Sequence, residues 1–178
     1  MTICVFGSAR DEIGPEYLAF GEAVGRAIAA RGCGILFGGG ARGMMGAVGR
    51  GAHEGGADIL GIAPRFFDKP GIFSPYCTDF ILTDTMAERK SIMEERADAF
   101  IALPGGIGTF EEIFEVITLR SLDQTDKPIA LLDCRDFWRG AHEKMLSLSE
   151  TGFASRALPG LYGYFTEIGA CLDYLLGQ

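Results

Sequence analysis

The sequence predicts an α/β fold: a doubly wound, mostly parallel sheet of about seven strands with helices on both faces. The prediction covers residues 1–178 as one domain. Three observations carry it. Short β-branched or aromatic runs alternate with stretches of helical length, the pattern of strands joined by crossover helices. Those runs are continuously apolar rather than alternating, as expected of strands covered on both sides. Small, flexible residues follow three of the runs, as GSAR, GGGARG and PGGIGT. Ligands of open parallel sheets sit at such strand ends. Together these features read as a Rossmann-like domain with one shared crevice.

The strand candidates, in order, are ICVFGS (3–8), GILFGG (34–39), DILGIA (58–63), DFILTD (79–84), AFIALPG (99–105), PIALLD (128–133) and LYGYFT (161–166), the last being the weakest pattern. Helical stretches fall between them near 16–31, 43–55, 86–97, 109–122, 137–149 and 167–176. Segment 64–78, PRFFDKPGIFSPYCT, is proline-punctuated, rich in phenylalanine and follows neither period. A loop of that length is a lid over a binding site or a cover for one sheet edge.

Composition removes several function classes. The net charge of −8, with no Lys/Arg cluster, disfavours a nucleic-acid partner. An anionic small molecule would have to be held by backbone dipoles and a few arginines. No apolar run reaches membrane-spanning length, and the N-terminal MTICVFGSAR enters a strand pattern without a secretory leader. The five cysteines are odd in number, widely spread and form no CxxC, which reads as a reduced, cytoplasmic chain. His53 and His142 are the only histidines, and HExxH, GxSxG and Walker A patterns are missing, so neither a zinc site nor a histidine triad is expected. Carboxylates, arginine and backbone amides remain as the chemical tools.

Each glycine motif has two readings. GGGARG at 38–43 matches GxGxxG, but it follows the second strand, and Asp58 stands at the wrong end of the next strand to reach a ribose hydroxyl. A phosphate- or ribose-facing role fits it better than dinucleotide binding. In LPGGIGTFEE (103–112), glycines would let backbone approach a ligand, and a helix N-terminus would offer free N–H groups to an anion. Thr109 and Glu112 also form T-x-x-E, a capping box with no catalytic meaning. Thr85 and Glu88 repeat that pattern, yet Arg89 and Lys90 follow in the opening turns, where cations are unfavourable unless an anion or glutamates lie nearby.

PGGIGTFEE fits PGGxGTxxE and MAERK fits MxxRK, in that order reversed along the chain and separated by SIMEERADAFIAL. This pair resembles the LOG ("Lonely Guy") family of phosphoribohydrolases, once widely labelled lysine decarboxylases. The resemblance spans roughly residues 3–150, from VFGSAR through FGGGARGMMG to DKPIALLD. It implies cleavage of the N-glycosidic bond of nucleoside 5′-monophosphates, cytokinin riboside 5′-monophosphates or AMP, without a metal or other cofactor. It implies catalytic roles for Arg89 and Glu112, a 5′-phosphate held by Gly105, Gly106, Gly108 and Thr109, substrate contacts from Met86, Lys90 and Thr118, and a crevice lined by Ser8, Gly39 and Gly40. It also implies a homodimer with the pocket near the interface. An acidic contact belongs in the loop at 64–78, where Asp68 is the nearest candidate. Ala87 and Ile107 depart from the histidine and tyrosine common at those positions, which bears on base preference.

The chemistry is coherent with the residues. Breaking a ribosyl C–N bond builds positive charge on the sugar, which a carboxylate stabilises while it orients or deprotonates water. Decarboxylation through pyridoxal phosphate would need a Schiff-base lysine from Lys69, Lys90, Lys127 or Lys144. The alternative from another class is a non-catalytic carrier of a nucleotide-like or phosphorylated cofactor, as in molybdenum cofactor carriers. A carrier needs the glycines but not the Arg89 and Glu112 pair.

Overall fold

A computed structural model describes residues 1–178. All seven expected strands form, in one wholly parallel sheet: β1 (Thr2–Phe6), β2 (Gly34–Phe37), β3 (Ile59–Pro64), β4 (Asp79–Thr83), β5 (Ala99–Ala102), β6 (Ile129–Leu132) and β7 (Gly163–Phe165). Their order is β4-β3-β2-β1-β5-β6-β7. The chain builds outward from β1 to one edge, then returns to the other side of β1 with β5. The loops after β1 and β5 therefore diverge to opposite faces, opening a crevice at the carboxyl ends.

Six helices cover the sheet: α1 (Pro15–Ala30), α2 (Gly43–Glu54), α3 (Met86–Arg96), α4 (Ile107–Ser121), α5 (Arg139–Glu150) and α6 (Ile168–Leu176). Strand alternation divides the apolar residues between two cores. Ile3 and Val5 of β1 join Val24 and Ile28 of α1, Met44 and Val48 of α2, and Leu172 and Leu175 of α6. Cys4 and Phe6 face the other way, toward Met93 of α3, Ile113, Val116 and Ile117 of α4, and Trp138 and Met145 at α5. Two-sided burial explains why the strands read as unbroken apolar runs. The cysteines are all free, three of them buried. No helix is long and apolar enough to cross a membrane.

The sequence of 110–122 carries apolar residues around much of the α4 circumference, Phe110, Ile113, Phe114, Val116, Ile117, Leu119 and Leu122, and most of them are absorbed inside the chain. Ile113, Val116 and Ile117 are buried, and Phe110 packs on Trp138 with ring centroids 4.7 Å apart and on Phe137 at 6.2 Å. Leu122 stays 61% exposed and Ile107 88%.

The 64–78 segment does both things expected of it. It begins with a 3-10 turn, Arg65–Phe67, and then runs beside the GGGARG loop. The Ala41 N–H donates to the Ile72 carbonyl at 2.8 Å and the Ser74 N–H to the Gly39 carbonyl at 2.8 Å. Phe73 stacks against Phe80 of the edge strand β4, with centroids 4.4 Å apart. One side of the segment thus covers the sheet edge while Phe67, Ile72 and Phe73 wall the crevice.

Candidate active site

Three helices begin at the carboxyl end of the sheet beside the crevice, and their first turns differ. At α2, the Gly43 N–H donates to Asp11 Oδ1 at 3.0 Å and the Met45 N–H to the Ser8 carbonyl at 3.1 Å. At α3 half of the expected capping box forms: the Glu88 N–H donates to Thr85 Oγ1 at 3.1 Å. The Glu88 carboxylate reaches one residue further back than Thr85 and accepts from the Asp84 N–H at 2.7 Å.

At α4 the capping box expected from Thr109 and Glu112 does not form. The helix starts earlier, with Gly106 as N-cap and no side-chain cap, so Thr109 lies in the first turn rather than ahead of it. The N–H groups of Ile107, Gly108 and Thr109 find no acceptor within the chain. An uncapped helix start carries about half a positive charge and aligned donors, the arrangement that binds phosphate. Of these three helix starts, α4 alone has no side-chain acceptor at its first turn.

The crevice has a volume of about 580 Å³. Ser8, Gly40, Met86, Arg89, Gly106, Gly108, Thr109 and Glu112 line it, so eight of the twelve expected site residues converge there. Thr109 is buried, with its hydroxyl where a Cβ on Gly105 would stand, only 2.1 Å away. Gly105 thus serves the site by making room for Thr109 and does not itself line the crevice.

Arg89 and Glu112 form the polar centre. Arg89 Nη1 donates to Glu112 Oε1 at 2.6 Å, and Arg89 Nε donates to the Ile62 carbonyl at 3.0 Å. Both side chains are nearly buried, at 9% and 11% exposure. Burial raises the Glu112 carboxyl above its ordinary value, while the charge and hydrogen bond of Arg89 lower it without cancelling the rise. Gly38, the first glycine of GGGARG, makes the arrangement possible. A Cβ there would lie 2.8 Å from Arg89 Nη2, and that guanidinium is pinned from two sides.

Four further expected residues do not line the crevice. Lys90 does not line the crevice; its ammonium is gripped by Glu111 and by Glu115, the latter at 2.7 Å, so it ties α3 to α4. Thr118 is exposed on α4 and donates its hydroxyl to the Phe114 carbonyl at 2.7 Å, outside the crevice. Gly39, at φ +68°, packs against the Phe80 ring instead of facing the crevice. Asp68 is exposed and is not among the lining residues. Sequence reasoning missed Gly38, Arg10 and the apolar wall of Phe67, Ile72 and Phe73. The motif strings GSAR and GGGARG contained the first two; the wall had only the phenylalanine-rich composition of 64–78 as a signal.

Comparison with known proteins places the chain by sequence and by fold. The family model described as "Possible lysine decarboxylase" matches residues 45–172. A cytokinin riboside 5′-monophosphate phosphoribohydrolase of Mycobacterium marinum is 40% identical over 142 residues, covering 80% of this chain and 76% of the relative. One from Arabidopsis thaliana is 35% identical over 153 residues, covering 86% and 72%. Among solved structures, the molybdenum cofactor carrier protein of Chlamydomonas reinhardtii matches with a TM-score of 0.76 at 23% identity, covering 99% of this chain and 98% of that one. That last likeness is one of fold. The family match over most of the chain, with relatives this similar, places the chain in the LOG family of cytokinin riboside 5′-monophosphate phosphoribohydrolases and their kin, the family whose model still bears the lysine decarboxylase description.

Proposed function

We propose that this chain is a hydrolase of N-glycosyl bonds that converts nucleoside 5′-monophosphates, cytokinin riboside 5′-monophosphate or AMP, to free base and ribose 5-phosphate. The observation that carries the reading is the buried Arg89–Glu112 pair one turn along α4 from an open helix start. The 5′-phosphate rests on the N–H groups of 107–109 and the Thr109 hydroxyl. Three residues of helix rise about 4.5 Å, so Glu112 stands within a ribose length of that phosphate. As the C1′–N bond breaks, the base leaves with the bonding pair and takes up a proton. Glu112 stabilises the positive sugar and accepts a proton from the water that attacks C1′. Arg89 keeps the carboxylate ionised and aimed.

Lysine decarboxylation lacks its residue. None of the four lysines lines the crevice; Lys90 is held by two glutamates and Lys127 donates to the carbonyls of Glu94 and Glu95. A carrier role would explain the open helix start but leaves the buried ion pair without a purpose.

Incubation with AMP should release adenine and ribose 5-phosphate, read by chromatography, with adenosine cleaved at least a hundredfold more slowly. Equal rates for the two would remove the phosphate from the recognition scheme. Tight AMP binding without base release would favour the carrier.

The proposal extends to a homodimer joined through the outer face of α4. Leu122 and Ile107 are exposed on this helix, and Thr118 lies on its solvent side. Light scattering at micromolar concentration should give about twice the 19.1 kDa chain mass. A fully active monomer would make that face ordinary surface.

A further inference from the structure

The crevice contains one cation that neither the fold nor the ion pair uses. Three arginines line it. Arg89 is engaged by Glu112 and the Ile62 carbonyl. Arg42 is partly compensated, with its Nε 3.6 Å from Oδ2 of Asp11, the residue that also accepts from Gly43. Arg10 is exposed and has no carboxylate within ion-pair distance. In a chain of net charge −8, an unpaired arginine facing the ligand cleft is out of keeping with its surroundings.

Its backbone, by contrast, is firmly placed. The Arg10 N–H donates to Ser8 Oγ at 3.1 Å, the Ser8 N–H donates to the Pro104 carbonyl at 3.3 Å, and the Ser8 carbonyl accepts from Met45. Gly43 packs so closely that a Cβ there would stand 2.6 Å from the Arg10 carbonyl oxygen. The loop after β1 is thus wedged between the first turn of α2 and the loop that leads into α4. A fixed backbone with a free guanidinium offers an anion contact, and a guanidinium matches two phosphate oxygens at once.

We infer that Arg10 is a specificity-determining residue whose guanidinium closes over the phosphate resting on the α4 N-terminus, selecting dianionic phosphate esters over uncharged nucleosides. This rests on the proposed function. The Arg89–Glu112 pair is neutral and the helix start supplies about half a charge, so a phosphate of about −1.5 to −2 still needs at least one full cation.

The test compares Arg10→Gln and Arg10→Lys with the wild type. Arg10→Gln should lower the ratio of kcat/KM for AMP over adenosine about tenfold, the usual effect of losing one charge-assisted hydrogen bond, with the loss in KM rather than kcat. Arg10→Lys should recover part of it. Calorimetry with inorganic phosphate should show a parallel weakening. If the wild type releases no adenine but binds phosphate, and Arg10→Gln weakens that binding, the hydrolase reading fails while the role of Arg10 stands. If a folded Arg10→Gln variant keeps both the ratio and the phosphate affinity within twofold, Arg10 is a solvated surface arginine and the inference is overturned.

Discussion

Glu112→Gln is expected to cut base release by a factor of roughly 10²–10⁴, the range typical of a positioned acid–base group. Glutamine preserves the side-chain shape, and its amide oxygen can still accept from Arg89 Nη1, which now lies 2.6 Å from the carboxylate. Only the charge and the basicity are lost. The Arg89 guanidinium is then nearly buried without its counter-charge, a loss that the retained hydrogen bond softens, so melting should fall by several degrees, equivalent to about 2–3 kcal/mol in a chain of this size. The same residue sets a pH dependence. Burial holds the carboxyl above its ordinary value. The acid limb of kcat/KM should therefore have its midpoint above the usual carboxylate range and vanish from the profile of Glu112→Gln. Undiminished activity in that variant, measured on AMP, would reduce Glu112 to a partner of Arg89.

Arg89→Met should be the most destabilising of the site substitutions, with a strong pH dependence. It leaves Glu112 nearly buried without its cation, and breaking a buried pair in this way costs about 3–5 kcal/mol while the charge persists. Arg89 also lowers the Glu112 carboxyl, so its removal raises that carboxyl further. A group raised in the folded state stabilises the fold below its unfolded value, and that contribution is lost as pH rises through the folded value. The variant should thus approach wild-type stability in acid and fall away toward neutral pH. Adding Glu112→Gln should restore much of the neutral-pH stability without restoring activity. Denaturant titrations at several pH values check this. A destabilisation independent of pH would mean that the Ile62 hydrogen bond, not the ion pair, holds α3 against the sheet.

These expectations depend on neighbouring residues facing different ways. Arg89 and Lys90 were indistinguishable in MAERK, yet successive helical residues point about 100° apart. Packing of Met93 and Arg89 against the sheet turns Lys90 toward Glu111 and Glu115 on α4. The same ambiguity affected the glycines: Gly38 admits the guanidinium and Gly39 turns toward Phe80, a difference of backbone angle that GGG cannot express. T-x-x-E is a local pattern that does not separate Thr109 as a cap from Thr109 within the first turn. The helix instead begins at Ile107, two residues earlier, with Gly106 as its N-cap in the extended conformation.

By itself the sequence determined the parallel sheet, the two-sided burial of its strands and the crevice at their carboxyl ends. Those properties follow from periodicity and from where glycine interrupts it, and both are local to the chain. It also singled out Arg89 and Glu112, through the resemblance that MAERK and PGGIGTFEE carry. Only the tertiary structure decided that α4 starts uncapped beside the crevice, that Lys90 and Thr118 turn away, that Phe67, Ile72 and Phe73 wall the site, and that Arg10 stands unpaired. Each of these depends on how one helix is rotated, or one loop docked, against segments distant in the chain. That rotation is set by packing summed over many side chains, which no short stretch of sequence contains.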